Sequence, residues 1–155
     1  MVNLCLTLAE CSVATLVEKI TQYNGQVPYV EVRLDYLSKM ELPVIPSYQG
    51  TEFIATCRPQ REGGFYKGSE KDRLNFLGRA AHAGFSWLDL EHDVQEVPDL
   101  PSVTKVVRSY HCFDSFCPDL TFRFHELERM GGDLIKLATS VNQTAELRVL
   151  LKWME

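Results

Sequence analysis

The sequence lacks any long hydrophobic run, any closely spaced cysteine pair and any excess of basic charge. No stretch reaches the roughly 18 uncharged apolar residues of a membrane span, and the first residues lack the basic region of a signal peptide. A net charge of −5, from 16 Lys and Arg against 21 Asp and Glu, argues against a generic nucleic-acid partner. With 45% hydrophobic residues among 155, the composition is that of one globular domain.

The cysteines also exclude several classes of site. They are five in number, which is odd, and no two have a C-x-x-C spacing. This pattern disfavours a disulfide framework and a zinc site, so we expect free thiols, a cytoplasmic location and no bound metal. The phosphate-binding pattern GxxxxGK[ST] is absent as well, so Gly63 and Gly64 do not mark a nucleotide-binding loop of that type.

Segments typical of strands and helices alternate along the chain. Helices are predicted to begin after Ser12 and Ser69, near Pro118 and after Asn142. We interpret Asn142 as the cap residue of the last helix. Strands separated by helices indicate right-handed parallel βα units. The predicted strands cover residues 2–8, 27–35, 52–57, 86–91, 103–110 and 133–138.

Charged and polar residues interrupt these strands, although strands of a buried parallel sheet are usually hydrophobic throughout. In βα architectures the C-terminal ends of the strands form the active-site face, so the interruptions predict a polar cavity on the axis of a barrel. The residues concerned are Glu31, Arg33, Arg58, Asp89, Glu91, Arg108, Ser109, Tyr110, His111 and Lys136.

Lys136 is the most distinctive of them because it lies between Leu134-Ile135 and Leu137-Ala138. A lysine kept dry by apolar neighbours should have a lowered pKa, and a neutral amine is a good nucleophile for a carbonyl carbon. The alternative is an edge-strand lysine that blocks pairing between sheets. His111 has the chemistry of a proton carrier near neutral pH, and its alternative is a hydrogen-bonded core histidine.

The remaining polar candidates have alternatives too. Glu31 and Arg33 share one face of their strand, which is also the pattern of a structural ion pair. Arg58 and Glu62 flank the two glycines in a turn that is also consistent with ordinary surface chemistry. His92 has neighbours able to ligate a metal, although a lone surface cluster is the more common explanation. His82 and His125 are predicted to be helical and exposed.

Five segments, taken in order, resemble the type I 3-dehydroquinate dehydratases, which are Schiff-base enzymes of the shikimate pathway. The resemblance implies an α/β fold of the (β/α)8 TIM-barrel type, with about six of the eight βα units present here. It also implies conversion of the small molecule 3-dehydroquinate to 3-dehydroshikimate without a cofactor. The segments are Val30–Asp35, Ala55–Gly64, Leu88–Glu91, Arg108–His111 and Gly132–Ala138.

The resemblance further implies a role for individual residues. Lys136 would form an imine with the substrate ketone, His111 would carry protons, and Glu62 would orient His111. The residues implied in substrate binding are Glu31, Val32, Arg33, Arg58 and Thr7.

The sequence is shorter than these enzymes, which run to roughly 220–250 residues, the usual size of one such barrel. We expect a single domain over residues 1–155 that lacks the last two βα units and, with them, an arginine for the substrate carboxylate. The exposed edges of strands one and six predict association, for example as a homodimer. The alternatives are a non-catalytic fragment, part of a fusion with shikimate dehydrogenase, or another imine-forming enzyme of the aldolase type.

Overall fold

The computed structural model of the chain describes residues 4–47 and 50–154. Strands and helices alternate over these residues, as the sequence predicts. The strands are β1 (Cys5–Leu8), β2 (Tyr29–Arg33), β3 (Glu52–Thr56), β4 (Trp87–Glu91), β5 (Lys105–Cys112) and β6 (Leu134–Thr139). The helices are α1 (Val13–Tyr23), α2 (Glu70–His82), α3 (Leu120–Arg129) and α4 (Thr144–Trp153).

Within these residues the six strands form one parallel sheet in the order β1-β2-β3-β4-β5-β6. Each strand pairs with its neighbour in sequence; for example, Thr7 lies opposite Glu31 and Ser109 lies opposite Lys136. In the described part of the chain, β1 pairs only with β2 and β6 only with β5, so the sheet is a half-barrel with two free edges. The expected α/β fold of the TIM-barrel type is confirmed, with six strands present in the described residues.

The two faces of the sheet differ in chemistry because side chains alternate along each strand. Val30 and Val32 face the helices, whereas Glu31 between them faces the concave side. The helix-facing side chains pack with α1 and α2 into the hydrophobic core, where each fully buried Leu or Phe contributes about 1.5–3 kcal/mol. The core includes Leu16, Ile20, Val30, Val32, Phe53, Ala55, Phe76, Leu77, Leu88 and Leu90.

The helix starts follow the sequence only in part. Ser69 caps α2 as predicted, since its Oγ accepts a hydrogen bond from the backbone N–H of Asp72 at 3.1 Å. Ser12 occupies the cap position of α1, but its side chain makes no capping hydrogen bond. The interpretation of Asn142 as the cap of α4 is wrong, because the cap residue is Gln143. The backbone N–H groups of both residues donate to Glu146 Oε2, which sets the helix start one residue later.

Two predicted strand ends also differ from the structure. β5 continues two residues further, to Cys112, because its pairing with β6 persists there, so His111 lies inside the strand rather than after it. β2 ends at Arg33, where the chain enters a 3₁₀ turn over Leu34–Tyr36. The predicted first-strand residues before position 4 lie outside the described residues, as does Glu155 at the end of the chain.

Two further features concern the chain as a whole. All five cysteines are free thiols, as expected. Across residues 4–47 and 50–154, no helix has the length and apolar character needed to traverse a bilayer.

Candidate active site

The concave face of the half-barrel gathers charged side chains from β2, β4 and β6. Nζ of Lys136 lies 2.9 Å from Glu31 Oε1 and 3.2 Å from Asp89 Oδ2. Hydroxyls from the adjacent strands complete the shell of Glu31, with Thr7 donating to Oε2 at 3.0 Å and Thr56 donating to Oε1 at 2.9 Å. The predicted polar cavity therefore has a lysine near its centre, between two carboxylates.

The pKa of Lys136 is shifted in the direction opposite to the one predicted from its sequence neighbours. Burial alone lowers the pKa of this amine, but the nearby carboxylates of Asp89 and Glu31 outweigh burial and hold the pKa above its ordinary value. The prediction of a lowered pKa is therefore wrong for this structure. Its apolar sequence neighbours do not set its environment, because residues on distant strands face the amine across the sheet. The same attraction holds the pKa of Glu31 below its usual range despite burial.

Asp89 connects the lysine to the rest of the cluster, although the sequence assigned it no site role. Its Oδ2 accepts a hydrogen bond from Arg58 Nη2 at 2.9 Å, and its Oδ1 accepts one from the Ser109 hydroxyl. Burial raises the pKa of this carboxyl, but Lys136, Arg58 and the Ser109 hydrogen bond together hold it below its ordinary value. Asp89 is thus a buried anion shared by two cations. Its place between the apolar residues Leu88 and Leu90 of β4 is the sequence signal that marks it.

His111 and Glu62 form the second part of the site. The His111 side chain is only 3% exposed, and its Nδ1 lies 3.1 Å from Glu62 Oε2. The same oxygen accepts the backbone N–H of His111 at 3.1 Å, and Arg58 Nη1 contacts both ring nitrogens of His111. Burial lowers the pKa of His111; Glu62 opposes the shift and the Arg58 charge adds to it. The ring is therefore neutral near pH 7, in the form that accepts a proton.

A glycine turn places Glu62 at the end of β3. A 3₁₀ turn over Gln60–Glu62 is followed by Gly63 at φ +73°, which favours glycine. A Cβ on Gly64 would overlap the backbone carbonyl of Arg58, so only glycine lets the loop approach the strand this closely. Glu62 is 5% exposed as a result. The alternative that this loop is ordinary surface chemistry is therefore wrong.

Arg33 and Val32 are predicted site residues that the structure does not bring into this cluster. Arg33 donates to both carboxylate oxygens of Asp35, at 3.0 and 2.8 Å, and lies over the Tyr36 ring. Neither of these partners is Glu31, so the suggested Glu31–Arg33 ion pair is also wrong. The Val32 side chain is fully buried in the hydrophobic core, on the opposite face of β2 from Glu31.

His92 is a residue of the site whose place the sequence missed. Its Nδ1 lies 3.2 Å from Glu62 Oε1, so it is not part of a lone surface cluster. In the described residues, no three His, Cys, Asp or Glu side chains come together in a group able to hold a metal ion. The position of His92 directly after β4, on the active-site side of the sheet, was the available signal.

A cavity of about 400 Å³ adjoins the cluster on the concave face. Lys136, Glu31, Asp89 and Thr7 form its polar wall. The rest of its lining lies nearer the N-terminal ends of the strands and is mainly apolar, with Ile54, Trp87, Val107 and Leu134 among its residues. The amine of Lys136 therefore lies at the boundary between this cavity and the part of the cluster formed by Arg58, Glu62 and His111, which do not line the cavity.

The fold and the site agree with the comparison of the chain with known proteins. The family model described as type I 3-dehydroquinase matches residues 4–155. The chain belongs to the type I 3-dehydroquinase family. The 3-dehydroquinate dehydratase of Desulfotalea psychrophila is 31% identical over 154 residues, which cover 94% of this chain and 68% of that protein. The 3-dehydroquinate dehydratase of Methanocaldococcus jannaschii is 27% identical over 157 residues, covering 96% and 71% respectively.

Solved structures of the family share the fold. The type I 3-dehydroquinate dehydratase of Clostridium difficile with covalently modified comenic acid has a TM-score of 0.81 at 19% identity. The match covers 97% of this chain and 68% of that one. The 3-dehydroquinate dehydratase of Geobacillus kaustophilus has a TM-score of 0.78 at 18% identity, covering 97% and 66%. The chain thus spans about two thirds of the length of these 3-dehydroquinases.

Proposed function

We propose that this chain carries the chemistry of its family, the dehydration of 3-dehydroquinate to 3-dehydroshikimate through an imine on Lys136. One observation carries the proposal: Lys136 and the His111–Glu62 pair face the same concave side and are joined through Asp89 and Arg58. A nucleophile and a proton carrier placed together in this way suit a reaction that forms an imine and then moves a proton.

The first step forms the imine. The Lys136 amine attacks the ketone carbon, the carbonyl oxygen leaves as water, and a cationic C=N bond replaces the C=O bond. The amine must first lose its extra proton, and Glu31 Oε1, at 2.9 Å, is placed to accept it. The carboxylates that hold Lys136 as an ammonium ion also stabilise the positive charge of the iminium that replaces it.

The second step removes water from the ring. The iminium withdraws electrons and acidifies the neighbouring C–H bond, whose proton passes to neutral His111. With Nδ1–H directed at Glu62, Nε2 is the basic atom of the ring, and Arg58 Nη1, which contacts Nε2 in the structure, must give way to the substrate C–H. The protonated ring then donates that proton to the departing hydroxyl, which leaves as water while a C=C bond forms. Hydrolysis of the iminium releases the product and regenerates the amine.

Polar groups around the amine are suited to binding the substrate. Arg58 has contacts with both Asp89 and His111, which places its guanidinium between the lysine and the proton carrier. Thr7 and Glu31 offer hydrogen-bonding groups to substrate hydroxyls at the polar wall of the cavity. To contact the substrate, Arg33 must exchange part of its contact with Asp35, whereas Val32, whose side chain is buried in the core, has only its backbone to offer.

The proposal also covers the domain organisation, the cellular location and the partners of the chain. Residues 1–155 act as one domain that contributes six of the eight βα units of the barrel. Five free thiols support a cytoplasmic location, and a net charge of −5 supports a small-molecule partner rather than nucleic acid or a membrane surface. The free edges of β1 and β6 support self-association as a homodimer.

An activity and trapping assay tests the reaction. The 155-residue chain is mixed with 3-dehydroquinate, and the enone absorbance of the product is followed. Borohydride is then added, and peptide mass spectrometry locates the reduced adduct. We expect turnover and an adduct on Lys136, both lost in Lys136→Met and retained in Lys71→Met, which changes an exposed lysine of α2.

Three results would contradict the proposal. An adduct on another lysine would exclude the assigned nucleophile. The absence of both turnover and adduct in the wild-type chain would exclude the activity for this chain. Turnover of a different keto acid, with none of 3-dehydroquinate, would favour another imine-forming enzyme of the same barrel class.

A further inference from the structure

The carboxylate of Glu62 lies between two histidines, of which the proposed reaction uses one. Its Oε2 is 3.1 Å from Nδ1 of His111, and its Oε1 is 3.2 Å from Nδ1 of His92. The His92 side chain is 24% exposed and comes from the segment directly after β4. Both oxygens of the carboxylate therefore face an imidazole.

Two contacts hold His92 in place independently of Glu62. Its backbone N–H donates to the carbonyl oxygen of Ser109 on β5 at 2.8 Å. Its ring meets the ring of Tyr110 edge-on, with centroids 4.9 Å apart and planes at 79°. These two contacts keep the imidazole beside the carboxylate.

The contact between His92 and Glu62 is a close approach rather than a formed hydrogen bond. It lies within ion-pair distance, but the ring N–H is not aligned with the oxygen, so a small rotation of the ring is needed for Nδ1–H to donate. The other charged groups near His92 are Asp93 and its partner Arg61, which pair with each other at the surface. Glu62 is thus the partner of the imidazole on the side that faces the site.

We propose that His92 is a positioning residue, which fixes the Glu62 carboxylate so that Oε2 stays directed at His111. A carboxylate held at one oxygen only can rotate about its Cγ–Cδ bond, and a partner on the second oxygen restrains that rotation. The orientation and the favoured tautomer of the proton carrier then depend on a residue that touches neither the substrate nor His111. Misplacement of a catalytic group by about 1 Å costs up to on the order of 10²-fold in rate, so a partial loss of orientation should cost about tenfold.

This inference rests on the proposed function only for its effect on turnover, so the first test needs no substrate. The ring nitrogens of His111 are titrated by NMR in the wild-type chain and in two complementary variants. His92→Phe keeps a ring against Tyr110 but has no nitrogen to offer Glu62, whereas His92→Asn keeps an N–H donor and loses the ring. His82→Phe, an exposed histidine of α2, is the control.

The expected result is a lower pKa for His111 in His92→Phe, because a released Glu62 no longer supports the protonated ring. His92→Asn and His82→Phe should leave the titration of His111 close to wild type. In the enone-absorbance assay with 3-dehydroquinate, kcat should fall about tenfold in His92→Phe with KM little changed, whereas His92→Asn should retain most of the wild-type kcat.

The opposite pattern would overturn the proposal. A normal His111 titration and normal kcat in His92→Phe, with losses in His92→Asn, would show that His92 serves only as a packing partner of Tyr110. A raised His111 pKa in His92→Phe would show a plain charge effect. If the wild-type chain has no turnover, the proposed function fails while the NMR titration still decides the role of His92.

Discussion

Oδ2 of Asp89 lies 3.2 Å from Nζ of Lys136, although the two residues are 47 positions apart in the sequence. The same oxygen accepts a hydrogen bond from Arg58 at 2.9 Å. One buried carboxylate therefore links the proposed nucleophile to the guanidinium that contacts the proposed proton carrier. The charge of the amine and the position of Arg58 are set together.

Removing the charge of Asp89 should lower the pKa of Lys136. Burial lowers the pKa of this amine, and the carboxylates of Asp89 and Glu31 raise it. In Asp89→Asn only Glu31 remains to oppose the effect of burial. The measurement is the pH dependence of Lys136 acylation by a small amine-reactive reagent such as acetic anhydride, which releases acetate, read by peptide mass spectrometry. We expect the curve to move to lower pH, and Asp99→Asn, on a fully exposed side chain, should leave it unchanged. A curve that does not move would show that Asp89 does not control the charge of the amine.

Replacing His111 should separate imine formation from dehydration. In His111→Asn we expect kcat to fall about 10²- to 10⁴-fold, the usual contribution of a general base. Because the imine can still form, borohydride should trap an adduct on Lys136 that retains the elements of water. The wild-type chain should also give the dehydrated adduct, as should His125→Asn, an exposed histidine of α3. A fully dehydrated adduct in His111→Asn would place the base elsewhere.

A single methyl group at Gly64 should disturb the site. In Gly64→Ala the new Cβ would overlap the backbone carbonyl of Arg58, so the loop that carries Glu62 must shift. Misplacement of an orienting group by about 1 Å costs on the order of 10²-fold in rate, so we expect a loss of about tenfold to a hundredfold in kcat. Gly78→Ala is the matched control, since its Cβ would meet Pro98 at an ordinary 3.4 Å. Equal activities of the two variants would show that the tight approach at Gly64 is not needed.

Glu91 should make the stability of the fold depend on pH near neutrality. Burial raises the pKa of this carboxyl to about 7, even though Arg73 Nη1 lies 2.8 Å from it. The carboxyl of Glu91 contributes its full stabilisation of the fold only below its unfolded-state pKa of about 4.3, where it is protonated in both states. As the pH rises to 7, the unfolded chain loses this proton first, so the contribution to the free energy of unfolding is lost. The contribution of Glu91 to the free energy of unfolding should therefore fall by on the order of 1–3 kcal/mol from pH 4.5 to 7.5, while the lowered pKa of His111 acts in the opposite direction in both the wild type and Glu91→Gln.

Urea unfolding at a series of pH values checks this dependence. Glu91→Gln should flatten it, whereas Glu96→Gln, in an exposed loop, should retain it. Carboxyls with a lowered pKa, such as Asp89, act in the opposite direction and mainly below pH 4, outside this window. An unchanged slope in Glu91→Gln would assign the dependence to another group.

The sequence predicts the sheet and its polar face well, because strand alternation is a local property. Lys136 and Glu31 are recognisable by their place among apolar neighbours, and the Arg58–Gly64 segment marks the loop that holds Glu62. The partners of these residues are not local: Lys136 meets Glu31 across 105 positions of the chain. A prediction of the lysine's charge from its flanking residues therefore fails, since the deciding carboxylates come from other strands.

Arg33 and His92 show two other limits of sequence interpretation. Arg33 ends a strand, and the 3₁₀ turn that follows brings Asp35 back within its reach, so the rule that alternate residues share a face gives it the wrong partner. His92 follows β4 in what looks like a surface run, and only the fold of the glycine turn on the neighbouring strand brings Glu62 to it.

The proposed proton carrier and the proposed nucleophile lie on strands that differ in the number of neighbours they are hydrogen-bonded to. β5, which carries His111, is hydrogen-bonded on both sides, whereas β6, which carries Lys136, is hydrogen-bonded on one side within the described residues. An edge strand is easier to displace than an inner one, because fewer backbone hydrogen bonds must change. His111 therefore lies on the more restrained strand, β5. Lys136 lies on β6, the less restrained strand, and its nitrogen must move as it forms and breaks a covalent bond. Whatever lies along that edge tunes how freely the amine moves.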